Sequence, residues 1–233
     1  MTPEDEPARA RRLFVLRPEP AASETEARAR EAGLEVTVMP LFAVEPIAWE
    51  APDAAGYDAL LLTSANAVRH GGEGLLSLRG LPAHAVGEAT AQAAREAGFG
   101  IASTGSSGVE RLLGSLEPEL RLLHLCGEDR VDSDSRQKIT SIVVYRSAEL
   151  PAPAGLGEIE GQVAAVHSAR AGSRLRTLLE AAGPSPSTVS IAAISPAAAK
   201  AAGDGWAHCE AADEPNDAAL IAVAARLCGQ SSG

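Results

Sequence analysis

Several turns in this sequence carry residue types that hold anions without basic side chains. Thr63-Ser64-Ala65-Asn66, Gly87-Glu88-Ala89-Thr90, His167-Ser168-Ala169-Arg170 and Ser195-Pro196-Ala197-Ala198 each follow an apolar run and open an Ala-rich one, and Gly127 closes a further apolar run. Small residues let an anion approach exposed backbone amides, and a helix N-terminus adds partial positive charge. The same Ser, Thr and Gly cap helices in any alternating α/β protein, so the case rests on the set. Tyr145 is one of two tyrosines and lies in the apolar run Ile142-Val143-Val144-Tyr145-Arg146-Ser147. A phenol, with a reference pKa of about 10, donates a hydrogen bond at neutral pH; a strand tyrosine also serves as half-buried packing. Arg17, Arg130, Arg146 and Arg170 stand near expected strand ends, where a guanidinium meets a carboxylate well.

Other chemistries lack their residues. No GxGxxG or GxxxxGK[ST] is present, and no GxSxG surrounds Ser64 or Ser168. Gly71-Gly72-Glu73-Gly74 follows a helix rather than a strand and reads as plain loop. The five histidines show no HxxxH spacing, so no metal is expected, and the three cysteines show no paired spacing, as suits a reducing, cytoplasmic compartment. A net charge of -11 and 3% aromatics argue against nucleic acid and anionic membranes as partners. The first dozen residues lack the apolar core of a signal peptide, and no apolar run approaches the ~20 residues of a membrane span.

The elements that position these turns follow from apolar periodicity. Leu13–Leu16, Ala59–Leu62, Val163–Val166 and Ile191–Ile194 are short continuous apolar runs, the pattern of strands buried on both faces, and Val36–Val38, Ala83–Val86 and Leu122–Leu125, each with one polar residue, read as further strands. Ser23-Glu24-Thr25-Glu26 reads as a capping-box helix start, Ser107-Gly108 and Asn216-Asp217 as further caps, and residues 129–140 as loop. Met39–Pro46 lies between prolines and reads as a crossing segment. The order strand, small-residue turn, helix occurs twice at nearly the same offset. The predicted fold class is therefore α/β, with two parallel-sheet domains, and ligands sit beyond the carboxyl ends of such strands.

Taken in order, Arg17-Pro18, Leu62–Val68, Val86–Ala91 with Gly98, Gly127, Val144-Tyr145-Arg146, His167–Arg170, Ile194–Ala199 with Gly203 and Glu214–Leu220 resemble uroporphyrinogen-III synthase over nearly the full chain. The resemblance implies two α/β domains, one from 1–38 and 150–233 and the other from 47–141, joined by a two-stranded antiparallel linker of 39–46 and 142–149. It implies a lyase that closes linear hydroxymethylbilane into uroporphyrinogen III, losing water and inverting the terminal pyrrole ring, with no cofactor. The substrate carries eight carboxylates, held largely by backbone amides, which answers how an acidic protein binds a polyanion. Carried over, Tyr145 assists departure of the hydroxyl group. Arg17, Ser64, Ala65, Asn66, Gly87, Thr90, Gly127, Ser168, Ala169, Pro196, Ala197 and Ala198 contact substrate. A monomer, with transient hand-over from hydroxymethylbilane synthase, is the implied state. The sequence departs from the family in a short Gly127–Tyr145 segment that lacks an expected helix, in Ala198 where a hydroxyl is usual, and in His167 where an apolar residue is usual. The alternatives are a non-catalytic two-domain binding module for an anionic small molecule or tetrapyrrole, and a phosphate-handling transferase.

Overall fold

A computed structural model describes residues 11–105, 108–129 and 135–229. Ser107 and Arg130 lie outside the described residues. The chain divides into two compact units, Met1–Ala43 with Glu149–Gly233, and Val44–Ala148.

The first unit holds a five-stranded sheet of β1 (Leu13–Val15), β2 (Val36–Val38), β9 (Val163–Val166), β10 (Ser190–Ala193) and β11 (His208–Ala211), in the order β11-β10-β9-β1-β2. Every pairing is parallel. Side chains alternate across each strand, so Leu13 and Val15 go to one core and Phe14 and Leu16 to the other. The first core is closed by α1 (Ala21–Glu31) and α7 (Asp217–Gly229), through Ala22, Ala29, Leu220 and Ala224. The second is closed by α5 (Ala169–Ala182) and α6 (Pro196–Ala202), through Leu175, Leu179 and Ala198. Fully burying one such Leu contributes about 1.5–3 kcal/mol. Helices α5 and α6 pack closely because Gly172 has no side chain.

The second unit's sheet is built from β3 (Phe42–Pro46), β4 (Ala59–Leu62), β5 (Ala83–Val86), β6 (Ile101–Gly105), β7 (Arg121–Gly127) and β8 (Lys138–Glu149), in the order β3-β8-β7-β4-β5-β6, with Phe42, Ala43 and Glu149 assigned to the first unit. Pairings from β8 through β6 are parallel. One face carries a large core of Leu60, Leu62, Leu78, Leu123 and Val144 under α2 (Ala65–Arg69) and α3 (Glu88–Glu96). The other face is thinner, with Ala59, Leu61 and Leu122 covered by α4 (Val109–Gly114). On that thinner side two buried histidines are satisfied by hydroxyls: His84 Nδ1 lies 2.7 Å from Ser103 Oγ, and His124 Nε2 lies 2.9 Å from Thr63 Oγ1.

Some local expectations need correction. Helix α1 starts at Ala21, and Ser23 does not cap it; its N–H and hydroxyl instead donate to Glu19 upstream. The 129–140 loop ends early, because Lys138–Ser141 pair with β7 as the start of β8. The described part of the β7–β8 connection contains no helix. Gly72–Leu78 form a 3-10 helix rather than plain loop, and β6 and β11 are strands that the apolar pattern did not announce.

Candidate functional site

In the second unit the expected residues stand at strand carboxyl ends. Ser64 follows β4 and caps α2, its Oγ accepting from the Asn66 N–H at 3.2 Å. That cap consumes the Asn66 amide, whereas the Ala65 amide makes no hydrogen bond among the described residues. Gly87 follows β5 with φ 84°, a left-handed conformation suited to glycine, and opens α3. Thr90, in the first turn of α3, is only 5% exposed.

Gly127 and Tyr145 are brought together by an irregularity in the sheet. Cys126 is opposite Val143, yet Gly127 is opposite Tyr145, so Val144 is the extra residue of a bulge. Bulges re-aim side chains. Strict alternation would send Val144 and Tyr145 to opposite faces; both pack against the same core. Tyr145 is half-buried, its ring centroid is 6.4 Å from that of His70, and its hydroxyl makes no hydrogen bond among the described residues. His70 has its pKa lowered by burial and by the charge of Arg69. The backbone beside the ring is pinned by a Glu128 N–H to Tyr145 carbonyl bond of 3.0 Å.

In the first unit Ser168 and Ser195 take matching positions after β9 and β10. The Ser168 hydroxyl accepts from the Ala171 N–H at 3.1 Å, and that of Ser195 from the Ala198 N–H at 3.3 Å. Ala198 is buried with its amide already bonded, and Pro196 has no N–H. Among the described residues the amides of Ala169 and Ala197, two exposed residues, make no hydrogen bond. Arg146 is paired with Glu45 at 3.0 Å, and Arg170 lies over the Phe42 ring at 4.8 Å.

Arg17 belongs to a cluster that sequence reasoning missed. One Asp217 carboxylate oxygen accepts from Thr25 Oγ1 at 2.8 Å and Arg28 Nη1 at 2.6 Å. The other accepts from Arg17 Nη1 at 3.2 Å and His167 Nε2 at 3.0 Å. His167 Nδ1 is buried without a partner. Burial alone would raise the Asp217 carboxyl, but the hydrogen bonds from His167 and Thr25 and the attraction of His167 and Arg17 hold it well below the usual carboxylate range. The only sequence signals were a histidine where an apolar residue was expected and an acid beside the Asn216 cap, whose Oδ1 accepts from the Ala219 N–H.

A hollow of about 530 Å³ lies elsewhere, lined by Leu113, Leu116, Pro118 and Gln137. These residues precede β7 and β8, at the amino edge of the sheet, where parallel sheets do not bind ligands. Among the described residues no group of three or more His, Cys, Asp or Glu could hold a metal ion, and no helix is long and apolar enough to cross a membrane.

The sequence matches the family model described as uroporphyrinogen-III synthase HemD over residues 23–222. No curated protein sequence matches it. Among solved structures, uroporphyrinogen-III synthetase from Helicobacter pylori superposes with a TM-score of 0.66 at 18% identity, covering 93% of this chain and 99% of that one. A mutant uroporphyrinogen III synthase from Thermus thermophilus superposes with a TM-score of 0.50 at 18% identity, covering 94% and 98%. At such identity these likenesses show a shared fold.

Proposed function

The chain belongs to the uroporphyrinogen-III synthase family, an enzyme family of haem biosynthesis that acts on hydroxymethylbilane, and we propose that it works there as a hydro-lyase. It closes the linear bilane to uroporphyrinogen III, with loss of water and inversion of the terminal pyrrole ring. The observation that carries this reading is the family match across residues 23–222.

The site geometry is in keeping with that chemistry. The exposed amides of Ala169 and Ala197, the Ala65 amide, and the turns at Gly87 and Gly127 bind substrate carboxylates through backbone rather than through a basic surface. Tyr145, with a hydroxyl that has no partner among the described residues, donates to the departing hydroxyl group. Left alone, the bilane closes to the symmetric isomer, so the protein's main task is to hold a conformation that favours the other closure. Thr90 and Ala198, both buried, shape the turns; Ser64, Asn66, Ser168 and Pro196 fix the helix starts.

The domains are 1–38 with 150–233, and 47–141, connected by 39–46 and 142–149 as an antiparallel pair. The adjacency of β3 and β8 in sheet order supports this connection. The enzyme acts in the cytoplasm as a monomer, without a cofactor, and receives its labile substrate by transient hand-over from hydroxymethylbilane synthase.

The test feeds purified protein with hydroxymethylbilane from a coupled synthase and separates the product isomers. Uroporphyrinogen III formed faster than the spontaneous isomer I is the expected result. Isomer I alone, at the uncatalysed rate, overturns the reading.

A further inference from the structure

We propose that Asp217 is a positioning residue for substrate binding, holding Arg17 and Arg28 as a paired cationic receptor for one substrate carboxylate. The inference rests on the synthase reading and adds residues to the same site.

Asp217 opens α7, Arg17 lies just beyond β1, and His167 just beyond β9, all at the carboxyl edge of the first unit's sheet. Two guanidinium groups face one carboxylate, at 3.2 Å and 2.6 Å. The cluster therefore carries surplus positive charge in a protein of net charge -11. Glu24 stands 3.9 Å from Arg28, but both are about half exposed and the pair is worth little. Arg17 spends Nη1 on Thr25 and Asp217. Its Nε and Nη2 make no hydrogen bond among the described residues, and its side chain remains 30% exposed. Nε and Nη2 form an edge of the guanidinium fork that meets a carboxylate bidentately.

Arg side chains lose substantial rotamer entropy when ordered. Asp217, only 12% exposed and held by Thr25 and His167, orders Arg17 before substrate arrives. The contact to substrate forms equally in ground and transition states, so it acts on KM rather than kcat.

The experiment is steady-state kinetics on hydroxymethylbilane, with isomer analysis, for five variants. Asp217→Asn keeps shape and removes charge; it is expected to raise KM about tenfold with kcat within about twofold, the scale of one charge-assisted hydrogen bond. In an Arg17→Gln background the same substitution should add nothing further. Arg28→Gln, at an exposed position that no core depends on, should raise KM about threefold. Arg30→Gln removes an exposed arginine of the same helix that pairs with Glu26 rather than Asp217, and should leave KM within about twofold. The proposal is overturned by an unchanged KM in Asp217→Asn or Arg28→Gln, by an undiminished effect without Arg17, or by an equal rise in Arg30→Gln. A parent enzyme that yields isomer I alone overturns the synthase reading and, with it, this one.

Discussion

The Tyr145 ring occupies the space that a side chain at position 127 would fill. A Cβ on Gly127 would stand 2.7 Å from Tyr145 Cζ and 2.9 Å from its hydroxyl oxygen. The bulge at Val144 sets the two residues opposite each other, so glycine is the condition for the ring's position. Gly127→Ala should therefore displace the ring. We expect a loss of about 1–3 kcal/mol in urea unfolding, the usual cost of overpacking, together with slower formation of isomer III. Adding Tyr145→Ala should restore part of the stability but none of the activity. A Gly127→Ala protein as stable and as active as its parent would show that the ring does not depend on this contact.

Tyr145→Phe separates the hydroxyl from the packing. The ring contacts remain, and the hydroxyl has no partner to lose among the described residues, so the melting temperature should hardly move. If the hydroxyl assists departure of water, turnover should fall about tenfold to hundredfold, at or below the lower end of general acid catalysis. Equal turnover would assign Tyr145 to packing alone.

Most of the strands that sequence patterning found are buried throughout, such as Leu13–Val15 and Val163–Val166, and the edge strand Val36–Val38 was legible because two of its three residues are Val. Those it missed lie at sheet edges. Ile101–Gly105 and His208–Ala211 each pair on one side only and carry Ser103, Thr104, His208 and Glu210, so no apolar run marks them. Lys138–Ser141 were lost for a related reason: exposed Lys138 and Thr140 alternate with Ile139 and Ser141, a half-buried pattern too short and polar to stand out from loop. The site divides along the same line. Caps at Ser64, Ser168 and Ser195 are legible because each bonds within its own turn. The Asp217 cluster joins residues 17, 25, 28, 167 and 217, and only folding places them together.

Acid should reveal that cluster. The Asp217 carboxyl is lowered on folding from an ordinary value near 3.8. Below about pH 5 the unfolded chain then binds more protons than the folded one at this position, so stability rises with pH there. The contribution is fully present well above 3.8 and is lost as pH falls below it toward the folded value. Urea unfolding measured from pH 6 downward should show stability falling with acidity, and Asp217→Asn should flatten the slope. Identical slopes would mean that Asp217 does not contribute.

His167 poses a question of competing terms. Its Nε2–H bond to a charged carboxylate contributes about 1.5–3 kcal/mol, whereas leaving Nδ1 buried and unpartnered costs about 1–3 kcal/mol. The two nearly cancel, and Asp217 keeps three other donors when the histidine is removed. His167→Leu should therefore change stability by no more than about 1 kcal/mol in either direction. A loss of about 3 kcal/mol or more in urea unfolding would show that Nδ1 has a partner in solution, such as an ordered water.

Gly172 should be less forgiving. A Cβ there would come within 2.9 Å of the Ala198 carbonyl oxygen and 2.9 Å of the Ala202 nitrogen, both backbone atoms of α6. Flexible side chains can swing away, but backbone can yield only if the helix moves. Helix α6 carries the Ser195 cap and exposed Ala197 at its start, so a shift that relieves the clash also moves the turn proposed to bind a substrate carboxylate. Gly172→Ala would gain helix propensity of up to about 1 kcal/mol, yet overpacking against backbone costs about 1–3 kcal/mol, so net destabilisation is expected. KM for hydroxymethylbilane should rise with it. Urea unfolding and steady-state kinetics on one preparation decide the matter: a more stable Gly172→Ala protein with unchanged KM would mean that α5 and α6 separate without disturbing the turn.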